Sequence, residues 1–218
     1  MINNKFSDKF SLLAAAVEEH LDGAPGCHDF AHTQRVMINA DILLTSNPDA
    51  DANTVRLAAL LHDIARPEEL QAKGKICHAE YGAKMARKLL IEYNFNDPVL
   101  IKRVKNAILR HRFRRNHPPQ TLEEQIIYDA DKLDSIGAVG IGRAFYFAGR
   151  EGAKLHNSAN AALNSAAYSR DDSAYREYLV KLRHIPERML TEAGRELATE
   201  RATFMDHFFQ RLNHEIFG

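Results

Sequence analysis

The sequence has few of the features that mark secreted, membrane-spanning or nucleic-acid-binding proteins. Its two cysteines, Cys27 and Cys77, are too few for a disulfide framework and suit a reducing compartment. No apolar run approaches the roughly 20 residues that a membrane-spanning helix needs. Basic and acidic residues number 29 each, so the net charge gives no overall attraction to nucleic acid or anionic membranes. We therefore expect a soluble, cytoplasmic protein.

Helical periodicity, in contrast, is present along almost the whole sequence. Hydrophobic residues make up 45% and charged residues 27%, as in globular proteins that bury a core. No stretch alternates apolar and polar residues with period two, so we predict an all-α fold. The predicted helices are 6–21, 29–45, 51–65, 78–93, 97–111, 121–136, 139–149, 173–184 and 189–214. The first carries acids among its apolar residues, unlike a signal peptide or a membrane anchor.

Length and helix spacing predict a single domain over 1–218. Its core is expected at about 20–140 and a C-terminal helical part at about 173–214. Segment 150–172 is rich in alanine, asparagine and serine and lacks an apolar stripe, so we expect it to be the most mobile internal segment. Pro67 is interpreted as a breaker after a helix that ends near 65–66.

Several histidines and aspartates occupy positions that the apolar pattern of the helices does not explain. They are His32, His62, Asp63, His78, His111 and Asp131. Taken one at a time, each is better explained as a cap or a structural residue. Taken together, they offer imidazole and carboxylate groups that suit a divalent transition metal. Adjacent helical residues point about 100° apart, so His62 and Asp63 can share one ion only close to a helix end.

Three short motifs occur in order: "HTQRV" around His32, "ALLHDIA" around His62 and Asp63, and "DADKLD" around Asp131. This order resembles the signature of the HD superfamily of metal-dependent phosphohydrolases. The C-terminal stretch "KLRHIPERMLTEAGRELATERATFMDHFFQRL" resembles the closing helices of a bacterial branch of small HD hydrolases. The resemblance implies an HD-domain helical bundle with long C-terminal helices. It also implies that His32, His62, Asp63 and Asp131 hold one divalent ion, which could be Mn, Mg, Co, Ni, Fe or Zn.

Some HD enzymes have two further histidines between the doublet and the last aspartate, where they build a second metal site. His78 and His111 occupy comparable positions. The sequence leaves open whether they hold a second ion or contact a substrate phosphate.

The activity that the resemblance implies is hydrolysis of a phosphate ester or nucleotide by a metal-activated water. Asp63 or Asp131 would orient or deprotonate that water, and the sequence does not separate the two. The expected partner is a small phosphorylated, nucleotide-like substrate. A metal-retaining HD fold that senses a ligand without turnover is the alternative.

A run of basic residues without any acid lies between Pro98 and Leu122. It consists of Lys102, Arg103, Lys105, Arg110, Arg112, Arg114 and Arg115. The first three are best explained as a solvated helix end, whereas Arg112, Arg114 and Arg115 in the following turn are candidate phosphate ligands. Arg35 and Lys132 are further candidates, and each could equally form a structural ion pair.

Nucleic-acid binding through this basic run is disfavoured, because the net charge is zero and "RHRFRR" has no aromatic residue interleaved with the cations beyond Phe113. Neither a membrane partner nor a particular oligomeric state follows from the sequence, and a homodimer remains open.

Overall fold

The computed structural model describes residues 2–22, 28–112 and 117–218, with side chains described from residue 5 onward. Within these ranges the chain forms helices and no strand, which confirms the all-α prediction. The α-helices are α1 (Ile2–Leu21), α2 (Phe30–Thr45), α3 (Ala52–Leu61), α4 (Arg66–Gln71), α5 (His78–Glu92), α6 (Pro98–Arg110), α7 (Leu122–Leu133), α8 (Gly137–Arg150), α9 (Ala159–Asn164), α10 (Ala174–Val180) and α11 (Glu192–Phe217). Two 3₁₀ turns, Leu182–His184 and Pro186–Arg188, precede α11. None of the described helices is both long and apolar enough to span a bilayer.

Aspartate caps fix the starts of the helices that lead to the candidate metal ligands. The Asp29 side chain accepts a hydrogen bond from the backbone N–H of His32, and Asp51 and Asp97 cap α3 and α6 in the same way. A capping side chain satisfies an N–H that has no partner within the helix. His32 is consequently held in the first turn of α2.

The region around Pro67 differs from the prediction. Helix α3 ends at Leu61, and residues 62–65 form a turn before α4 begins at Arg66. Pro67 lies in the first turn of α4, where its missing N–H removes no helical hydrogen bond. The interpretation of Pro67 as only a breaker was therefore wrong, and the predicted helix 51–65 is too long.

Segment 150–172 also contains more regular structure than expected. It includes α9, which is capped by Ser158, and the backbone N–H of Lys154 donates to the carbonyl oxygen of Arg170 at 2.8 Å. The Asn157 side chain is buried and donates to the backbone oxygen of Asp171. That this segment is the most mobile one stays a prediction.

The chain divides into two compact units, residues 1–131 and residues 132–218. In the first unit α3 packs between α2 and α6, and α5 pairs with α6. Its core includes fully buried leucine, isoleucine and valine side chains, among them Leu57, Leu60, Leu61, Leu90, Val104 and Ile108. In the second unit α8 packs on α11, with Phe145 stacked near Phe209. The single domain expected from the sequence stays a prediction.

The start of α8 requires a glycine at position 140 for steric reasons. A Cβ added at Gly140 would lie 2.3 Å from the carbonyl oxygen of Ser135. We expect Gly140→Ala to lower the free energy of unfolding by about 1–3 kcal/mol, as overpacking does elsewhere. Gly142 in the same helix has no neighbouring atom within 4 Å of an added Cβ, so Gly142→Ala should instead stabilise by up to about 1 kcal/mol. Urea unfolding of the two variants tests this contrast, and equal shifts would contradict it.

Candidate metal centre

The six predicted ligands come from five places in the chain, and the described side chains group them into two adjoining clusters. His32 lies in the first turn of α2, and His62 and Asp63 follow the end of α3. His78 is the first residue of α5, and His111 directly follows α6. Asp131 is in the last turn of α7, which the Asn39 side chain of α2 contacts by donating to the oxygen of Ala130. All six side chains are buried except that of Asp131, which is 18% exposed.

The first cluster consists of His32, His62, Asp63 and Asp131. The Nε2 atoms of His32 and His62 lie 3.2 Å apart. The His32 Nε2 atom is 3.6 Å from Asp63 Oδ2 and 3.6 Å from Asp131 Oδ1, and the His62 Nε2 atom is 3.7 Å from Asp63 Oδ2. His32, His62 and Asp131 offer ligand atoms within 4.8 Å of one another, and so do His28, His32 and Asp63. These are atoms of the types that divalent ions prefer.

The second cluster consists of His78, His111 and the other oxygen of Asp63. Asp63 Oδ1 lies 3.1 Å from His78 Nε2 and 3.6 Å from His111 Nε2, and the two Nε2 atoms are 3.3 Å apart. The two carboxylate oxygens of Asp63 thus point into different clusters. Among the six predicted ligands, Asp63 is the residue that belongs to both.

In His62 and His111, a hydrogen bond at Nδ1 decides which of the two ring nitrogens carries the proton. The Nδ1 atom of His62 lies 2.8 Å from the backbone oxygen of Ala59, and that of His111 lies 2.6 Å from the oxygen of Ile108. A carbonyl oxygen only accepts, so each Nδ1 carries the proton. In the neutral ring the Nε2 atom then presents a bare lone pair to the cluster.

In His78 the hydrogen-bond partner of Nδ1 is a side chain instead of a backbone carbonyl. Its Nδ1 atom lies 2.7 Å from Glu69 Oε2, and an ionised carboxylate only accepts. The bare Nε2 atoms of His78 and His111 therefore face each other and a carboxylate oxygen. Such an arrangement of lone pairs is repulsive unless a cation lies among them.

Burial acts in the direction that metal binding requires. Removal from water lowers the pKa of His62, His78 and His111, which favours the neutral rings that act as ligands. Burial by itself would raise the pKa of Asp63, but the nearby charge of Arg66 holds it well below its usual range. Asp63 is therefore ionised at neutral pH.

The donor set fits a divalent ion by a further observation. Asp63 Oδ1 is buried and has no hydrogen-bond partner of suitable geometry among the described residues. An unsatisfied buried carboxylate oxygen costs several kcal/mol at least, whereas coordination would satisfy it. The residues present therefore fit a metal in both clusters.

Three residues beside the centre were not among the predicted site residues. His28 Nδ1 and Arg66 Nε each lie 3.0 Å from Asp63 Oδ2, and Glu69 contacts His78 as described. His28 had a usable signal, because the sequence "HDFAH" places a second histidine four residues before His32. Arg66 and Glu69 had none, because α4 itself was not predicted. Partial burial would raise the pKa of Glu69, but the His78 ring and Arg66 lower it to about 2.

The predicted phosphate ligands are distributed unevenly. Arg112 follows His111, is 18% exposed, and its Nη1 atom lies 3.1 Å from Glu69 Oε1. Arg35 lies one turn after His32 in α2, and Lys132 follows Asp131 in α7; both are partly exposed. Arg114 and Arg115 lie outside the described residues. Of the helical cations, Arg103 pairs with Asp51 at 3.4 Å.

The helical fold and the His–Asp clusters are those expected of an HD domain, and comparisons with known proteins agree. The profile of the HD domain matches residues 29–136, the range that contains all six predicted ligands. The chain belongs to the HD-domain superfamily, which confirms the resemblance in the motifs.

Among particular relatives, YpgQ of Bacillus subtilis (strain 168) is 32% identical over 193 residues, which are 88% of this chain and 85% of YpgQ. The crystal structure of YpgQ in complex with ADP has a TM-score of 0.75 at 29% identity and covers 98% of each chain. A predicted HD superfamily hydrolase from an uncultured Thermotogales bacterium has a TM-score of 0.66 at 31% identity, covering 94% of this chain and 91% of its own.

Proposed function

We propose that this protein is a divalent-metal-dependent phosphohydrolase that cleaves a small phosphate ester of the nucleotide type. The observation that carries the proposal is the pair of clusters joined by Asp63, in which bare imidazole nitrogens and carboxylate oxygens converge on two small volumes. Membership of a superfamily that includes predicted hydrolases supports the same assignment.

The residues that would hold the metal follow from the two clusters. His32, His62, Asp63 and Asp131 would hold one ion, and Asp63, His78 and His111 would hold a second. A bound divalent ion supplies a water of lowered pKa and polarises a phosphoryl oxygen. Assigning His78 and His111 to a second ion, rather than to a substrate phosphate, is supported by their facing Nε2 atoms.

Asp63 and Asp131 would have different roles in the reaction. Asp63 is buried, contacts both clusters and has a strongly lowered pKa, so it is a poor proton acceptor and is suited to holding ligands in place. Asp131 contacts the first cluster and is 18% exposed. We therefore assign to Asp131 the role of orienting the attacking water and accepting its proton.

Cations for the substrate phosphate lie at the edge of the centre. Arg66 reaches Asp63, and Arg112 lies beside His111 and lines a cavity of about 430 Å³ together with Lys73. Guanidinium groups bind phosphate oxygens in pairs and stabilise charge that develops there. The ADP complex of YpgQ supports a nucleotide as the ligand class.

Replacing Arg112, Arg114 and Arg115 together with alanine is expected to raise the KM for a nucleotide substrate by about tenfold or more, as the loss of a charge-assisted phosphate contact does. Metal content should stay unchanged, because these residues are not ligands. Steady-state kinetics and metal analysis of the same preparation test this. Replacing Lys102 and Lys105 with alanine is the control, and unaltered kinetics in the triple variant would remove the arginines from the substrate site.

The proposal as a whole is tested by stripping the protein with a chelator, restoring Mg, Mn, Co or Ni, and measuring product release from nucleotides and simple phosphate esters. Metal-dependent hydrolysis is the expected result. A ligand-sensing module without turnover, for which an ADP-bound relative is equally natural, predicts metal-dependent nucleotide binding with no product formed. That outcome would replace the phosphohydrolase assignment.

A further inference from the structure

We propose that Glu69 is the positioning residue of the second cluster: it fixes the ring of His78 with Nε2 toward Asp63 and holds two arginines at the edge of the centre. This inference rests on the proposed function for its catalytic consequence, but its structural part can be measured without any activity.

Both oxygens of the Glu69 carboxylate are engaged with this site. Oε2 accepts from His78 Nδ1 at 2.7 Å and from Arg66 Nη1 at 2.9 Å. Oε1 accepts from Arg112 Nη1 at 3.1 Å and from the backbone N–H of His78 at 3.3 Å. A single side chain thus contacts one candidate ligand and two cations at the edge of the clusters.

The hydrogen bond between Glu69 and His78 determines which ring nitrogen of His78 carries the proton. The shorter carboxylate contact is at Nδ1, 2.7 Å from Glu69 Oε2, against 3.1 Å from Nε2 to Asp63 Oδ1, so we place the proton of neutral His78 on Nδ1 and leave Nε2 as the ligand atom. Arg112 Nη1 also lies 3.1 Å from Nδ1, but it donates to Glu69 Oε1. His62 and His111 obtain the same setting from backbone carbonyls of their own helical turns. His78 is the first residue of α5 and has no preceding helical turn, so a side chain from α4 takes over this task.

The arginine contacts explain why an acidic residue is needed at this position. Arg66 Nε lies 3.0 Å from Asp63 Oδ2, and Arg112 directly follows His111. Without a counter-charge, two guanidinium groups beside the clusters would oppose the binding of a second cation. Glu69 offsets that charge and fixes the direction of both side chains.

Helix α4 places Glu69 for this role. Arg66 and Glu69 are three residues apart and so lie on one side of the helix. At the end of α4, the backbone N–H of Gly74 donates a 2.9 Å hydrogen bond to the backbone carbonyl oxygen of Glu69, and Lys73 and Gly74 have positive φ. The neighbouring Glu68 points elsewhere and pairs with His20 at 3.3 Å.

The test compares Glu69→Ala and Glu69→Gln with Glu68→Gln as the matched control. Long-range ¹⁵N–¹H spectra of the metal-free protein report which ring nitrogen of each histidine is protonated, and the His78 signals are assigned by their loss in His78→Asn. Wild type and Glu68→Gln should show His78 protonated on Nδ1. Glu69→Gln should keep this form through its amide oxygen, and Glu69→Ala should lose it.

Titration of Mn²⁺ into the same proteins supplies the second readout. We expect the weaker of two binding events to weaken about 10- to 100-fold in Glu69→Ala, as the loss of an outer hydrogen bond to a ligating histidine does elsewhere. Glu69→Gln should weaken it by a smaller factor of about 3–10, because the amide oxygen still accepts from His78 while the charge and the second acceptor oxygen are lost, and Glu68→Gln should leave it unchanged.

The outcomes separate the two proposals. An unchanged His78 tautomer together with unchanged Mn²⁺ affinity in Glu69→Ala would overturn the role of Glu69. If that variant does not fold, unchanged Mn²⁺ affinity in Glu69→Gln overturns it equally. A wild-type protein that binds Mn²⁺, shows the expected tautomer and hydrolyses nothing would leave the positioning role standing and refute the phosphohydrolase assignment.

Discussion

The Asp63→Ala variant is expected to lose metal from both clusters and to lose hydrolysis by at least about three orders of magnitude. Asp63 gives Oδ2 to the first cluster and Oδ1 to the second, so its removal takes an anionic ligand from each. Metal analysis by mass spectrometry and a nucleotide hydrolysis assay measure the two losses. The size of the effect reflects the several kcal/mol that metal coordination contributes at the transition state.

The fold should survive this change, because the metal-free protein keeps a buried, incompletely paired carboxylate that alanine removes. Asp63→Asn separates charge from shape and should lose metal while retaining the side-chain volume. Asp41→Asn, at an exposed ion pair with Arg56, is the control and should retain full metal content. An Asp63→Ala protein of lowered stability that still binds the full complement of metal would assign the residue to the core instead.

The His78→Ala/His111→Ala variant is expected to reduce the number of bound ions from two to one. These two rings belong to the second cluster, whereas His32, His62 and Asp131 belong to the first. Hydrolysis should fall by at least about two orders of magnitude, because the developing charge on the phosphoryl group loses one of its two stabilising ions. Titration of the metal-free variant with Mn²⁺ measures the stoichiometry.

His32→Ala/His62→Ala is the matched variant for the other cluster. It should lose the first ion and abolish hydrolysis, since it removes two of the three side chains grouped there, His32, His62 and Asp131. If the His78→Ala/His111→Ala protein keeps its full complement of metal but binds a nucleotide substrate more weakly, the two histidines contact phosphate and the second-ion assignment is wrong.

Much of the fold could be predicted from the sequence because it follows from local patterns. The long amphipathic helices α2, α5 and α6 lie within one residue of their predicted bounds at both ends. Their apolar periodicity, and the Asp caps of α2 and α6, are local features of the sequence. The two six-residue helices, α4 and α9, were missed. Helix α4 has a proline in its first turn, and α9 lacks an apolar stripe, so neither carries the signal on which the prediction depended.

The candidate ligands were also accessible from the sequence, because the motifs around His32, His62, Asp63 and Asp131 are specific in their order. The mutual geometry of these ligands could not be predicted from the sequence. That the two oxygens of Asp63 face different clusters depends on the turn after α3, and that Glu69 reaches His78 depends on α4. Both are relations between segments, for which a single sequence contains no local signal.

The two-ion centre is tested most directly by the crystal structure of the protein loaded with Mn²⁺, with the ions located by their anomalous scattering. We expect one ion within about 2.0–2.4 Å of ligand atoms from His32, His62, Asp63 and Asp131. A second ion should be bound by Asp63, His78 and His111. Ions found elsewhere in the protein, or clusters that stay free of anomalous density at saturating Mn²⁺, would contradict the two-ion centre.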